Sequence, residues 1–367
     1  MSYISKRVML SLAAAVPLLL ASAPAAVLAA PATAPSVSST SGAAAPTRQA
    51  SGTSSCSHDR LRAAGSAPRL LASGLEGALG STIGPDGALY AVEGIAGEVA
   101  RIDRCSGAVS TWASGLPTRV LEGPGGAMDI AFVHGVAYVL VSLVGSDVGG
   151  DSVVGIYRVD GPTTVTPVAD IGSWAIANPP APAFFVPSGV QFALLPWRGD
   201  LLVTDGHHNR VLRVDLDGAE GANVSEVIAF DDIVPTGLER RGHTVLMAEA
   251  GPVPHLPENG KVVAFRPGGT TVREVAAGAR LAVDVESGAR GLYVLSQGEF
   301  TPGNPEGSPA DPDTGALMRV RRDGTLTSVA SGLDRPTSME IVGRRAYVVD
   351  LDGDIWSICL RSDRHQG

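Results

Sequence analysis

Carboxylates recur at one position of a repeated strand. The segments ALYAVE, VAYVLV, DLLVTD, TVLMAE, GLYVLS and RAYVVD end in Glu93, Val141, Asp205, Glu249, Ser296 and Asp350. Hard oxygen donors brought to one place are what Ca²⁺ and Mg²⁺ take as ligands. Glu93, Asp205 and Glu249 are therefore candidate metal ligands, with Ca²⁺ or Mg²⁺ as the candidate cofactor. A carboxylate at a strand end also satisfies backbone N–H groups of its own loop. Spacing alone leaves both roles open.

Histidines stand beside this column. His207 and His208 follow Asp205, and His255 lies in the loop AGPVPHLPEN after Glu249. Imidazole is the usual general base at neutral pH and a common metal ligand. His207, His208 and His255 are candidate ligand-binding residues, and His255 is the candidate base. Backbone-bonded loop histidines are the structural alternative. Glu122, in EGPGG, is a further candidate at the same rim. Two long Gly/Pro loops, 144–152 and 297–315, belong to this set, and long loops on a rigid scaffold commonly shape binding sites.

The elements that must position these residues form a repeat. From Leu70 onward a pattern of four short strands with turns between them returns six times. Third strands such as EVARID, GIYRVD and RVLRVD alternate apolar and polar residues, as a half-buried pleated strand requires. GPDG, LDG, PGG and RDG between runs are hairpin signals. The expected fold is all-β, a six-bladed β-propeller. The last copy lacks a fourth strand, while PRLLASGL near the N-terminus matches the fourth strands VSTWASGL and LTSVASGL. The N-terminal strand is expected to complete the C-terminal blade and so remove an exposed strand edge.

Ahead of this body, Lys6 and Arg7 precede an apolar run from Val8 to Ala29 that ends in small residues. Residues 1–29 read as a secretory signal peptide, residues 30–55 as a disordered Ala/Ser/Thr/Pro linker, and residues 56–367 as the propeller. A secreted, extracytoplasmic monomer with no membrane span after cleavage is expected. Export permits disulfides. Cys56, Cys105 and Cys359 allow one bridge. A Cys56–Cys359 bridge would clasp the ring closure, with Cys105 as the competing partner.

The 28 basic and 37 acidic residues give a net charge of −9. That argues against nucleic acid or an anionic membrane as partner, since both need clustered Lys and Arg. There is no G-x-S-x-G elbow, no Walker A loop and no H-E-x-x-H; each would have carried its own chemistry.

The segment VTDGHHNRVLRVDLDG resembles an NHL repeat, and VPSGV, VPTGL and RPTSM resemble its blade-opening motif. The chain is similar to NHL and TolB-like six-bladed propellers. More narrowly it resembles the ScyD/ScyE family through LEGALGSTIGPDGALYAVEG, GGAMDIAF, FFVPSGVQFAL, VTDGHHNRVLRVD and VPTGL…MAEAGPVPHLPENGKVVAF. The resemblance implies an exported propeller. Two functions follow as expectations. The first is binding of a small molecule, glycan or protein on the loop-rich face at the channel mouth. The alternative is a metal-dependent lactonase- or lyase-like enzyme, by analogy with gluconolactonase-like and streptogramin-lyase-like propellers.

Overall fold

The computed structural model describes residues 67–217, 223–305 and 307–360. The expected signal peptide, the linker and Cys56 lie outside the described residues.

Strand β1 (Arg69–Ala72) comes first. Blade 1 follows as β2 (Ala78–Ile83), β3 (Leu89–Glu93), β4 (Glu98–Ile102) and β5 (Val109–Ser114). Blade 2 is β6 (Gly126–Val133), β7 (Val136–Ser142), β8 (Gly155–Gly161) and β9 (Thr164–Asp170), and the short helix α1 (Ile171–Ala177) leads out of it. Blade 3 is β10 (Gln191–Trp197), β11 (Asp200–Asp205), β12 (Arg210–Asp215) and β13 (Asn223–Ala229). Blade 4 is β14 (Pro235–Arg241), β15 (Thr244–Glu249), β16 (Lys261–Phe265) and β17 (Val272–Ala277). Blade 5 is β18 (Ala282–Gly288), β19 (Gly291–Ser296), β20 (Gly315–Val320) and β21 (Leu326–Leu333). Blade 6 has β22 (Pro336–Val342), β23 (Arg345–Asp350) and β24 (Ile355–Cys359), and β1 as its fourth strand.

The six sheets are antiparallel and make a six-bladed β-propeller. Burial follows position in the blade. The second strands β3 and β11 are buried at every residue, whereas the outer strands β5 and β17 are exposed over their first halves. A second strand is covered on both faces by neighbouring blades, so it reads as a continuous apolar run closed by one polar residue. Aromatic rings fill the gaps between blades. Tyr90 meets Trp112 edge-on at 5.1 Å and Phe132 of the next blade at 5.2 Å, a geometry the ring quadrupoles favour.

Closure occurs as the sequence predicts. Arg69 pairs with Ser357, Leu70 with Trp356 and Ala72 with Ile355, and the Leu75 N–H donates to the Gly353 carbonyl at 3.1 Å. The cysteine expectation needs correction. Cys359 is a free thiol, so the Cys56–Cys359 clasp is not formed. Cys105 is the disulfide-bonded residue. The strand ladder between β1 and β24 holds the closure without a covalent bond at Cys359.

Each innermost strand begins, and each second strand ends, at the same face. That face carries the long connections 115–125, 143–154, 171–190, 250–260 and 297–314. The opposite face carries two-residue turns such as 134–135, 198–199, 242–243 and 343–344. Among the described residues no helix is long and apolar enough to cross a membrane.

Candidate functional site

The column is present, with carboxylates in blades 1, 3, 4 and 6 and serines in blades 2 and 5. Glu93 pairs with Ala78, Asp205 with Gln191, Glu249 with Pro235, Ser296 with Ala282 and Asp350 with Pro336. In blade 2 the position belongs to Ser142, opposite Gly126, and not to Val141, because β7 runs one residue further than its pattern suggests. Glu93, Asp205 and Asp350 bond to groups near the ends of their own blades. Glu93 Oε1 accepts from the Glu76 N–H at 2.8 Å. Asp350 accepts from the N–H groups of Asp352 and Asp354 at 3.1 and 3.0 Å and from Trp356 Nε1 at 2.8 Å. Burial pushes the Glu249 carboxyl up to about 7, against the pull of Lys261.

Among the described residues no group of three or more His, Cys, Asp or Glu side chains comes together to hold a metal ion. Glu93, Asp205 and Glu249 end the second strands of three different blades, and Glu93 and Asp205 accept from backbone N–H groups.

Asp205 is the most heavily engaged. It is fully buried. Its Oδ1 accepts from the N–H groups of Val190 and His208 at 3.1 and 3.3 Å. Its Oδ2 meets Arg210 Nε at 3.3 Å and His208 Nδ1 at 3.0 Å. Gly189 permits this approach: at φ +79°, a Cβ there would lie 2.6 Å from both carboxylate oxygens. Arg210 also donates to the Asn178 carbonyl at 2.8 Å and stacks over Trp174 at 4.9 Å. This network sets the turn between β11 and β12.

That turn divides its two histidines. His208 is buried at 3% exposure and donates from Nε2 to the Val186 carbonyl at 3.1 Å, while Nδ1 meets Arg210 Nη2 at 2.9 Å. Both ring nitrogens of His208 have partners within the protein. His207 is the less buried of the two. Its Nε2 accepts from the Val186 N–H at 3.2 Å, which places the ring proton on Nδ1. Burial, helped by His208, holds its pKa below the ordinary imidazole value, so the ring is neutral near pH 7. Phe184 and Phe185 stand edge-on to it at 5.0 and 4.4 Å.

His255 sits across from this turn on the next blade's loop. It is buried, and its backbone is held at φ +56°. Nδ1 donates to the Ala250 carbonyl at 3.2 Å, so Nε2 carries the lone pair. Phe300 packs edge-on at 5.2 Å.

His207 and His255 line one cavity of about 350 Å³ with Asn209, Asp232 and Thr236. A second cavity of about 630 Å³ adjoins it over the channel mouth and shares Val190, His207 and Gly307. Glu122, Arg119, Phe185 and Asp352 line the larger chamber. Of the residues expected at the site, the fold brings together His207, His255 and Glu122. It directs Glu93, Asp205, Glu249 and His208 into the blades. Sequence reasoning missed Arg119 and Phe185. The run FFVPSGV carried the signal for Phe185: two adjacent aromatics in a loop have no core to fill.

No protein-family model matches the chain, and no curated protein sequence does. Solved structures match in fold. A gluconolactonase from Xanthomonas campestris superposes with a TM-score of 0.55 at 12% identity, covering 80% of this chain and 89% of that one. A Thermus thermophilus protein assigned as an oxidoreductase (glucose dehydrogenase) gives 0.54 at 18% identity, covering 80% and 99%. A PQQ-bound aldose sugar dehydrogenase from Streptomyces coelicolor gives 0.50 at 15% identity, covering 79% and 96%. These likenesses establish the six-bladed propeller fold.

Proposed function

We propose that this chain is an exported propeller enzyme of ScyD/ScyE type that opens a small cyclic ester at its channel mouth by acid–base chemistry. One observation carries the reading. His255 and His207 line the same cavity, and their backbone bonds leave a lone pair at Nε2 of His255 and an N–H at Nδ1 of His207. Each edge is fixed because the other nitrogen is bonded to backbone.

In the proposed step, Nε2 of His255 takes a proton from water as the water oxygen attacks the ester carbonyl. Nδ1–H of His207 donates to the oxyanion that forms. The ring C–O bond then breaks, and the proton on His255 passes to the departing alkoxide. Water and lactone are consumed, and one hydroxy acid is formed. The proposed step runs through the two histidines alone. The resemblance to gluconolactonase supports the reaction class. The motifs from Leu70 to Leu360 support the ScyD/ScyE reading, and the apolar run Val8 to Ala29 supports export.

The test is a panel of γ- and δ-lactones assayed for hydroxy-acid release. His207→Gln and His255→Gln are each expected to lower kcat/KM about a hundredfold or more while the melting transition is kept. Lactones that bind but are not turned over would leave a small-molecule-binding propeller. That second reading is favoured by the exposed ring of Phe185 at the cavity wall.

A further inference from the structure

Large apolar side chains exposed to solvent gather on the loop face. Ile95, Leu121, Phe185 and Val253 are exposed by 41, 43, 69 and 42%. They come from four separate loops, after β3, β5, α1 and β15. Three of them line the larger cavity and Val253 lines the smaller. Scattered apolar residues on a surface need no explanation, but convergence from separate loops on one concavity marks a place where apolar matter is bound. The apolar wall begins where the polar site ends, since the Phe185 ring stands 4.4 Å from His207.

The charges of the larger chamber are compensated within the protein. Arg335 bonds to Asp334 and Asp352, each at 2.6 Å. Arg119 donates to the Gly123 carbonyl at 3.2 Å and stands in the same wall as Glu122. Neither sign of charge dominates this wall, so it favours a neutral occupant.

We propose that the substrate is bipartite. Its cyclic ester head sits between His207 and His255 in the smaller chamber. A neutral alkyl or aryl tail runs into the larger chamber against Phe185, Leu121 and Ile95. The head assignment rests on the acid–base reading above; the tail assignment rests on the apolar wall alone. Phe185 and Leu121 are then the residues that set tail length.

A homologous series of γ-lactones with lengthening 4-alkyl chains tests this. kcat/KM is expected to rise about three- to fourfold per added methylene until the chamber is filled. The double variant Phe185→Ser/Leu121→Ser is expected to flatten that dependence. Turnover of short lactones with no chain-length dependence overturns the bipartite substrate and leaves the acid–base reading standing. The tail site is checked without turnover by the fluorescence of N-phenyl-1-naphthylamine, a neutral apolar probe. Saturable binding to the wild type that is lost in the double variant supports the site even when no lactone is hydrolysed. Absence of saturable binding to the wild type overturns it.

Discussion

Asp129 and Asp284 do the same work on opposite sides of the channel. Asp129 Oδ2 accepts from the Leu194 N–H, and Asp284 Oδ2 accepts from the Met339 N–H, each at 2.7 Å. Each thereby ties the innermost strand of its blade to that of the next, and the two ties lie three blades apart. The preceding blade makes room for each carboxylate with a glycine. A Cβ at Gly80 would lie 2.2 Å from Asp129 Oδ1, and one at Gly237 would lie 2.4 Å from Asp284 Oδ1.

Glu239, Glu286 and Glu340 line the same passage as these two aspartates, and among the described residues no Lys, Arg or His lines it with them. Arg241 acts on Glu239 from its own strand. Burial raises Asp129 to about 8 and Asp284 to about 7, and burial with neighbouring carboxylates holds Glu286 and Glu340 well above the usual range. The folded state therefore binds these protons more tightly than the unfolded chain, whose carboxyls titrate near 4. Stability is fully present below that value and is lost as pH rises through about 7 to 8. The melting temperature is expected to be higher at pH 5 than at pH 8.5. Glu286→Gln/Glu340→Gln is expected to raise it at pH 8.5 and flatten the slope. A melting temperature that climbs with pH contradicts the carboxyl cluster.

Asp205→Asn is expected to cost about 3 kcal/mol, because it leaves the Arg210 guanidinium buried without its carboxylate. Urea unfolding followed by Trp fluorescence measures this directly. An unchanged midpoint would show that the turn carrying His207 is held by something else.

The thiols give a chemical check. The turn bearing Cys105 packs on β1: a Cβ at Gly107 would lie 2.0 Å from the Leu71 carbonyl oxygen. Cys56 precedes β1 in sequence and is the remaining cysteine for Cys105. Non-reducing peptide mapping is expected to yield a Cys56–Cys105 peptide and an alkylated Cys359. A cross-linked peptide containing Cys359 contradicts the arrangement.

Removing β1 should open the ring. Deletion through Gly74 strips the fourth strand from blade 6 and exposes β24 as an edge. The truncated protein is expected to melt well below the parent and to aggregate. Equal melting temperatures would show that blade 6 needs no fourth strand.

Much of this architecture was legible in the residues. The six strand copies and the displaced PRLLASGL strand repeat with enough fidelity to fix blade number and closure. The division between His207 and His208 was not legible. It depends on Val186 and Asn178, which come from a loop about twenty to thirty residues upstream, and spacing says nothing of that contact. The role of Glu93, Asp205 and Glu249 was not legible for a related reason. A residue that ligates and one that satisfies its own loop occupy the same sequence position. The channel carboxylates were hidden differently. Register shifts between Ala127 and Asp129 and between Ala282 and Asp284 break the two-residue alternation where the acids turn inward, as bulges do.

In the proposed reaction His255 acts through Nε2 as the base of the channel-mouth site. The pH dependence of kcat/KM for lactone hydrolysis, compared between the wild type and His255→Gln, tests it most directly. The wild type is predicted to lose activity on the acid side with the slope of a single proton, the signature of a general base. His255→Gln, with its melting transition kept, is predicted to be at least about a hundredfold slower and to lack that acid limb. A variant with wild-type rates and the same acid limb would contradict the account.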